Sequence, residues 1–458
     1  MLNPIWLWLV LLSVLIGGFT GNLEAVTTGA FQSAKDAVMT IALPLVGVFA
    51  LWLGVMRLAE LAGLVKVLAR VLRPVTTRLF PDVPPDHPAV GSMTMNIAAN
   101  MLGIGNAATP LGLRAMRDLE KLNRFPGTAT NAMCTFLAIN TGSVQLVPAT
   151  AVAILAVAGS KNPTAIIGSA FLATLCSSAV GLIAVKCLEK LPRYRLPAAS
   201  QAAPVEERPV ELEEATDAAA AEEEARPVSP WGKWLLRLYW LAMLLIFLTL
   251  AFPDSCNRLL AVLNVPFQFP PLSAEMARMG LVSRMVSALA ILAVPVMISF
   301  FPLYAWLRGI KVYEEFVEGA KEGFGVATRI IPYLVAILVA VRMFREAGGI
   351  QLLAKMLGPV LEKIGFPVDL LPLVLVRPLS GGASTGVFTD IVKTFGPDSI
   401  NSLIAATIMG STETTFYVIA VYFGSVGIQR TRHAVPAGLL ADLAGVVAAV
   451  IVCRLMFA

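Results

Sequence analysis

Long apolar runs recur along this chain and constrain its fold more than any other feature. A membrane-spanning helix needs about 20 predominantly apolar residues, and several runs approach that length: 4–20, 37–56, 163–188, 234–252, 285–307 and 326–341. The chain is 57% hydrophobic and only 14% charged, with a mean hydropathy of +0.76, whereas a soluble domain has about 25% charged residues. The sequence therefore predicts an all-α polytopic membrane protein whose main partner is the lipid bilayer.

Charge and cysteine usage exclude several other classes. The formal net charge is +5, but no basic cluster carries interleaved aromatic residues, so nucleic acid is not an expected partner. The five cysteines are scattered without a C-x-x-C pair, and the only histidines are His87 and His433, so we expect no metal site and no cofactor. Neither histidine is placed beside a reactive serine, so we expect no hydrolytic enzyme.

An acidic segment divides the chain. Residues 192–230 are rich in Pro, Ala and Glu, which predicts a disordered linker. We therefore divide the chain into a first repeat, the linker, an extra transmembrane helix with its loop, and a second repeat: 1–191, 192–230, 231–281 and 282–458. Basic residues flank the linker on both sides, which predicts a cytoplasmic linker in a bacterial plasma (inner) membrane protein.

The two halves resemble each other in an ordered series of segments. The matching pairs are 30–37 with 316–323, 62–75 with 348–360, 105–112 with 380–386, and 139–148 with 409–418. An amphipathic helix is expected over 57–73, closed by Pro74. The distribution of basic residues favours opposite orientations in the membrane, so we predict two inverted repeats with broken or re-entrant helices.

The stretch NMLGIGNAATPLG (100–112) is unlike a spanning helix. It places three glycines, a proline and polar residues where leucines are expected. Lipid cannot bond a freed N–H or C=O, so such a backbone must be buried in protein or line a wet cavity. This stretch and its counterpart RPLSGGASTG (377–386) are therefore the first candidates for a substrate site.

Dense motifs in each half resemble the spore maturation proteins. TGNLEAVTTGAF, RPVTTRLFPDVPPDHPAVG and TFLAINTGSVQLVP in the first half are similar to spore maturation protein A. YEEFVEGAKEGF, RPLSGGASTG and GSTETTFYVIAVYFGSVGI in the second half are similar to spore maturation protein B. The chain thus resembles a fusion of two members of the nucleoside recognition, or gate domain, group. This resemblance implies a transporter-like fold. Iron transport is not expected, because neither central break has a cysteine that could bind the metal.

The candidate residues for binding a polar solute come from both halves. In the first half they are amides, hydroxyls and one glycine: Asn96, Asn100, Gly105, Asn106, Thr109, Asn140, Thr141, Ser143 and Gln145. In the second half they surround the glycine-rich break and a later polar patch: Arg377, Ser380, Gly381, Gly382, Ser384, Thr385, Ser411, Thr412, Glu413 and Thr414. The asparagines could instead join neighbouring helices, and Arg377 could instead be an interfacial anchor or the partner of Asp390.

Glu413 is the most informative acid, because a carboxyl at membrane depth is functional by default. It is the candidate residue for proton or cation coupling, together with Asp390. Alternatively, Glu413 forms an ion pair with Arg377. Asp442, in the last apolar run, could pair inside the bundle.

These features favour a transporter that moves a small polar solute by alternating access. No nucleotide-binding motif is present, so coupling to protons or another cation is expected. The alternatives are a non-transporting scaffold or regulator of cell-envelope or spore maturation, with cell-envelope enzymes as partners, and a lipid flippase. A homodimer is the oligomeric state considered.

Overall fold

The computed structural model describes residues 2–103, 105–196, 226–262, 267–269, 280–349, 352, 355 and 365–457. The described ranges are predominantly helical and contain no β-strand, only an isolated bridge between Thr128 and Arg430. This confirms the predicted all-α class. Most of the predicted linker, residues 197–225, lies outside the described residues, as does most of the matching segment 348–360.

The first half is a series of helices with one π-helical insertion. Its helices are α1 (Leu2–Thr20), α2 (Leu23–Asp36), α3 (Leu43–Leu61), α4 (Leu64–Leu79), α5 (Pro88–Leu102), α6 (Gly105–Glu120), α7 (Asn131–Gly142), α8 (Ala149–Val157) and α9 (Ile166–Leu188). The π-helical stretch Ala37–Ala42 joins α2 directly to α3. The span predicted over 37–56 is therefore part of a longer helical segment.

The second half contains the extra helix and the second repeat. Its helices are α10 (Pro230–Ala251), α11 (Pro253–Val262), α12 (Leu281–Leu307), α13 (Val312–Glu346), α14 (Leu371–Val376), α15 (Gly381–Phe395), α16 (Ile400–Ser411), α17 (Thr415–Gly424) and α18 (Ala434–Phe457). The extra helix is α10, and α11 occupies part of the segment predicted to be a loop. The span predicted over 326–341 is the second part of the longer α13.

The amphipathic helix predicted over 57–73 is wrong in both of its boundaries. The helix α3 continues to Leu61, and α4 begins only after a turn at Gly63, where φ is +72°, a conformation that favours glycine. Pro74 lies inside α4 rather than closing it. The missing proline N–H frees the carbonyl of Arg70, but Arg70 and Pro74 are both exposed, so no buried group is left unpaired.

Seven helical segments in the described ranges are long and apolar enough to cross a membrane: Leu23–Leu61, Ile166–Leu188, Pro230–Ala251, Ser287–Leu307, Val312–Glu346, Ile400–Gly424 and Ala434–Phe457. A shorter apolar helix covers Trp6–Thr20. The extra helix α10 is the least enclosed, with only 6% of its apolar stretch buried inside the molecule. The chain is a multi-pass membrane protein, and α10 lies at its periphery.

The equivalent helices α3 and α13 of the two repeats run antiparallel. Along α2 and α3 the residue numbers rise while those of the contacting residues on α13 fall: Gly29 contacts Glu346, Ala50 contacts Gly323, and Arg57 contacts Glu315. Equivalent helices that cross a membrane in opposite directions are the property that defines inverted repeats.

The closing helices α9 and α18 show the same antiparallel relation. A Cβ added at Gly181 would lie 3.0 Å from the Cβ of Ala441, and one added at Gly445 would lie 3.3 Å from the Cβ of Ser177. The lower-numbered residue of α9 therefore faces the higher-numbered residue of α18. Both pairs of equivalent helices confirm the predicted inversion.

Small residues let α3 and α13 approach closely. A Cβ added at Gly54 would lie 2.7 Å from the ring of Phe316, and one added at Gly323 would lie 2.6 Å from the backbone nitrogen of Ala50. Lipid tails are as apolar as leucine, so helices in a bilayer associate through close packing rather than through the hydrophobic effect. The core that results contains buried side chains from both repeats, including Phe49 and Leu334.

Candidate functional site

In each repeat, a short helix is interrupted at a polar patch and then continues. In the first repeat α7 ends at Gly142 and α8 begins at Ala149; in the second, α16 ends at Ser411 and α17 begins at Thr415. Hydroxyl caps fix where these interrupted helices begin. Thr130 Oγ1 accepts a hydrogen bond from the N–H of Met133, and Ser399 Oγ accepts one from Ser402, each at 3.2 Å. Such a cap contributes about 1 kcal/mol.

The carbonyls freed at the first break are satisfied by hydroxyls from α9. Thr174 Oγ1 lies 2.8 Å from the carbonyl oxygen of Gly142 and 2.6 Å from that of Ser143, and it can donate to one of them at a time. Ser178 Oγ donates to Gly142 at 3.2 Å. Neutral donors therefore replace the hydrogen bonds that the helix would have made, as an interrupted backbone at membrane depth requires.

The second break is satisfied by an arginine instead. Arg377 is 6% exposed. Its Nη2 donates to the carbonyls of Met409, at 3.0 Å, and of Thr412, and its Nε donates to the hydroxyl of Thr412 at 3.2 Å. A cation at the carboxyl end of a helix also complements the helix dipole. The guanidinium therefore closes the end of α16.

Glu413 is the residue at which the two breaks meet. Ser143 Oγ and Gln145 Nε2, both from the first break, lie 3.3 Å and 3.2 Å from its Oε1 and can donate to it. The N–H of Thr414 donates to Oε2 at 3.3 Å, and Arg377 Nη2 lies 3.8 Å from the same oxygen. The carboxylate is thus held by neutral donors of one repeat and by a cation of the other, and its side chain is still 29% exposed.

Three amides and a tyrosine form a second polar group beside this junction. Asn100 Nδ2 donates to Asn140 Oδ1 at 2.9 Å and lies 3.5 Å from Asn96 Oδ1. Asn96 Nδ2 donates to the carbonyl of Ala108 at 2.7 Å and to the hydroxyl of Tyr422 at 3.2 Å. The tyrosine hydroxyl in turn lies 3.5 Å from Asn140 Oδ1. The asparagines therefore join α5, α6, α7 and α17.

The break at 100–112 reaches Glu413 through the loop after α7. The helix α5 ends at Gly103, whose φ of +76° turns the chain before α6. The carbonyl of Met101 accepts a hydrogen bond from the N–H of Leu146 at 2.9 Å. Leu146 follows Gln145 directly, so the end of α5 is fixed to the loop that binds Glu413. The first predicted break is therefore linked to Glu413 through this loop.

The remaining first-repeat candidates lie in α6 and α7. Gly105 opens α6, and the side chain of Asn106 lies outside the described part of the chain. Thr109 is half-buried in α6. Thr141 is buried, and its hydroxyl donates to the carbonyl of Ala138 at 3.1 Å.

The glycine-rich stretch of the second repeat begins α15. Ser380 is its N-cap and accepts a hydrogen bond from the N–H of Ala383 at 3.2 Å. Ser384 and Thr385 donate to carbonyls one turn back, Ser384 to that of Ser380. Gly381 lies against the methyl group of Thr414, and Gly382 lies against Tyr333. These hydroxyls therefore support the helix, while the stretch packs against the residue that follows Glu413.

Asp390 lies in a different cluster. Its Oδ2 is 2.7 Å from Arg345 Nη2, and the pair borders a cavity of about 310 Å³ between α2, α13 and α15. Lys393 on the same helix lies 3.4 Å from Asp36. The structure therefore gives Asp390 a partner other than Arg377, and Arg377 faces Glu413.

Sequence reasoning overlooked one member of the polar group and gave too little weight to another residue. Tyr422 was not among the predicted site residues, but its hydroxyl joins Asn96 and Asn140. Asp442 was noted only as a residue that could pair inside the bundle; the hydroxyl of Thr415 donates to its Oδ2 at 2.5 Å. An acid inside an apolar run was the available signal for Asp442.

A metal centre has no candidate ligands in the ranges that the structure describes. Three or more His, Cys, Asp or Glu side chains do not converge anywhere among those residues. The five cysteines are all free. The polar junction consists of amides, hydroxyls, one carboxylate and one guanidinium, which is a set suited to hydrogen bonding.

Paired inverted repeats with interrupted helices define a polytopic membrane protein built from two related units. The family model described as "Gate: Nucleoside recognition" matches residues 42–186 and 327–429. These two regions cover more than half of the chain. They include the interrupted helices of both repeats and nearly all of α9, but not α18. The chain belongs to this family.

Two curated relatives from Bacillus subtilis (strain 168) match opposite halves. The first half is similar to spore maturation protein A, with 43% identity over 183 residues, 40% of this chain and 93% of the relative. The second half is similar to spore maturation protein B, with 44% identity over 174 residues, 38% of this chain and 98% of the relative. No solved structure matches the chain. The predicted family resemblance is confirmed in both halves.

Proposed function

We propose that this chain moves a small polar solute across the membrane by alternating access. The observation that carries the proposal is the junction at Glu413. A partly exposed carboxylate from the break of one repeat accepts hydrogen bonds from Ser143 and Gln145 in the break of the other. Secondary transporters with inverted repeats bind their substrates at such interfaces between discontinuous helices.

The junction has groups that a polar solute could engage. The hydrogen bonds from Ser143 and Gln145 to Glu413 are 3.3 Å and 3.2 Å long, and a typical hydrogen bond contributes only about 1 kcal/mol net. A solute hydroxyl or amine could therefore replace either donor at small cost. Asn100 and Asn140 lie beside them and offer donors and acceptors. The description of the family makes nucleosides the first solutes to test.

Alternating access would have to break the contacts at Glu413. They join residues of opposite repeats, so any rocking of one repeat against the other separates Glu413 from Ser143 and Gln145. We propose that solute and coupling ion exchange with these contacts during the cycle. Asp390, the other proposed coupling residue, would take part only if its ion pair with Arg345 opens as well.

The proposal also includes the type of membrane and the side on which the linker lies. Basic residues at both flanks of 192–230 favour a cytoplasmic linker in a bacterial inner membrane. Transport of this kind needs no chemical change in the solute, so we propose no enzymatic step. The names of the two relatives connect those proteins with spore maturation, and a solute used in the cell envelope would fit both.

Uptake into proteoliposomes tests the proposal. The full chain is reconstituted and supplied with a panel of labelled polar solutes that begins with nucleosides. We expect one solute to accumulate above protein-free liposomes, and we expect Glu413→Gln and Asn100→Ala to reduce the rate about tenfold or more, which corresponds to about 1.4 kcal/mol.

The matched control is Glu318→Gln. Glu318 is a surface glutamate that pairs with Lys321 on α13, away from the junction, and its replacement should leave uptake unchanged. Uptake that is the same in wild type, Glu413→Gln and Asn100→Ala would remove the site assignment. Failure of every solute to accumulate would favour the envelope scaffold or the lipid flippase.

A further inference from the structure

We propose that Asp442 carries a proton on Oδ1 and is the residue that binds and releases the coupling proton. The first part of this proposal concerns the protonation state alone, and the second part rests on the transport function proposed above. Asp442 lies on α18, beside the second break, where the backbone N–H of Glu413 also faces its carboxyl.

The two oxygens of this carboxyl have different surroundings. Oδ2 accepts a hydrogen bond from the hydroxyl of Thr415 at 2.5 Å. Oδ1 is buried, and among the described residues no hydrogen-bond partner reaches it. The residue as a whole is 5% exposed. One oxygen is therefore bonded, and the other is enclosed without a donor.

An ionised carboxylate is unfavourable in this buried environment. A charged aspartate inside a membrane helix is costly, and a buried acceptor without a donor adds to that cost. A proton on Oδ1 removes the charge and converts the unpartnered acceptor into an O–H donor. Thr415 can continue to donate to Oδ2.

The neighbouring break contains a second buried polar group without a partner, although the two groups do not bond each other. The hydroxyl of Ser411 is also buried and has no partner in the described ranges. The face of α18 that carries Asp442 packs against the same residue, because a Cβ added at Gly445, one turn further on, would lie 3.0 Å from the carbonyl oxygen of Ser411. Two incomplete polar groups thus lie at the same helix-to-break contact.

The residue of the first repeat that corresponds to Asp442 is Thr174, an uncharged O–H donor. The sequence Leu-Ala-Thr-Leu (172–175) on α9 answers Leu-Ala-Asp-Leu (440–443) on α18. The hydroxyl of Thr174 donates to the carbonyls at the first break, at 2.8 Å and 2.6 Å. A protonated Asp442 would be the corresponding O–H donor at the second break. Unlike threonine, it could lose its proton.

The charged groups that act on Asp442 are Arg377, which bonds the carbonyls at the end of α16, and Glu413, which lies in the second break. From α7 and α9, the side chains around this face of α18 are the uncharged Thr141 and Ser177. Opening of the break would admit water to Oδ1 and let it release the proton to one side. Reclosure after proton uptake from the other side would complete the coupling.

Infrared spectroscopy of the full chain in lipid nanodiscs tests the protonation state without any solute. We expect wild type at pH 7 to show the C=O stretching band of a protonated carboxylic acid, shifted on exchange into D₂O. Asp442→Asn should lose this band, and Glu413→Gln and Asp390→Asn should keep it. Asp442→Thr, which installs the residue of the first repeat, is the second variant in case the asparagine protein does not fold.

The outcomes separate the two parts of the proposal. A band that persists in Asp442→Asn and in Asp442→Thr, or that wild type lacks, overturns the protonation site. In proteoliposomes that exchange a solute, a pH gradient should accelerate uptake by wild type but not by Asp442→Thr, which should retain solute exchange.

Acceleration by a sodium gradient alone, or by a pH gradient in both proteins, would overturn the coupling role. If wild type shows the band but moves no solute, the transport function fails while the protonation site stands.

Discussion

The contacts of the Glu413 carboxylate fix its position, but each of them is weak enough to be exchanged. Its ion pair with Arg377 is long, at 3.8 Å, because the shorter contacts of that guanidinium are directed at the carbonyls of α16. Its other donors are neutral. A carboxylate in a bidentate ion pair would need far more energy to exchange partners, so this geometry suits a group that must release one set of donors and accept another.

Tyr422 allows a test of the group of three amides and a tyrosine by removal of a single oxygen atom. Tyr422→Phe keeps the ring, which stacks on Phe136 at 5.9 Å between centroids, and removes only the hydroxyl that joins Asn96 and Asn140. We expect a loss of about 1–2 kcal/mol of stability, seen as a lower melting temperature in detergent.

The control for Tyr422 lies on the same helix. Tyr417 is 57% exposed, and Tyr417→Phe should leave the melting temperature within error. Equal effects of the two substitutions would show that the buried hydroxyl contributes no more than a surface one.

His433 predicts a pH dependence of stability. It is 0% exposed in the turn before α18, and burial together with Arg432 and Lys186 lowers the pKa of His433 to about 4. The folded state therefore favours the neutral imidazole, and stability is complete above the ordinary pKa of about 6.5 and lost as the pH falls toward 4. Between pH 7 and pH 5 the loss should be about 2 kcal/mol.

Melting temperatures at the two pH values measure this effect. His433→Gln should reduce the difference between pH 7 and pH 5, and His87→Gln, at the half-buried N-cap of α5, should retain it. An undiminished difference in His433→Gln would assign the acid sensitivity to other groups.

At the scale of elements, the close contact between α3 and α13 is set by glycines. A Cβ at Gly323 would lie 2.6 Å from the backbone nitrogen of Ala50, which cannot move away as a side chain can. We expect Gly323→Ala to destabilise the protein by about 1–3 kcal/mol, despite the higher helix propensity of alanine.

Gly47→Ala is the matched substitution on α3. Nothing lies within 4 Å of the Cβ it would add, so its melting temperature should equal or exceed that of wild type. A Gly323→Ala protein as stable as Gly47→Ala would mean that the two helices are further apart than the structure shows.

Helices and breaks could be predicted from the sequence where a long apolar run or a single residue type, such as glycine or proline, determines them. The broken helices at 100–112 and 377–386 followed from glycine and proline at membrane depth, and α9 and α10 followed from uninterrupted apolar runs. The boundary at Gly63 did not, because apolar residues continue across it and only the left-handed backbone of the glycine separates α3 from α4. The polar patch after α7 was visible in the sequence, but the hydroxyls that satisfy its freed carbonyls come from α9, about 30 residues further along the chain.

For the candidate site, sequence could supply residues but not their partners. Ser143, Gln145 and Glu413 were chosen as polar residues in matched patches, and their convergence depends on the packing of two repeats. Asp390 and Arg377 looked like partners because they are neighbours in sequence. The helix α15 separates them, and Arg345 on α13 reaches Asp390 instead.

At the scale of the whole molecule, inversion predicts which residues can be cross-linked. In a cysteine-free background, Arg57→Cys with Gly319→Cys and Gly29→Cys with Glu346→Cys should form disulfides. A Cβ added at Gly319 would lie 2.7 Å from the Cβ of Arg57, and one added at Gly29 would lie 3.1 Å from Cγ of Glu346. Migration on a non-reducing gel reports the cross-link.

A mismatched pair provides the control. Arg57→Cys with Glu346→Cys places the two cysteines at opposite ends of the antiparallel helices and should not cross-link. Efficient cross-linking of this pair would require parallel helices and would contradict the inverted repeats.

The most direct test of the site is a structure determined by electron cryomicroscopy with the solute that uptake identifies. We predict density within hydrogen-bonding distance of Glu413, on the side where Ser143 and Gln145 now donate to it, with those two contacts lengthened or replaced. Density confined to the cavity beside Arg345 and Asp390, or to a groove open to the bilayer, would contradict a solute site at the junction of the two repeats.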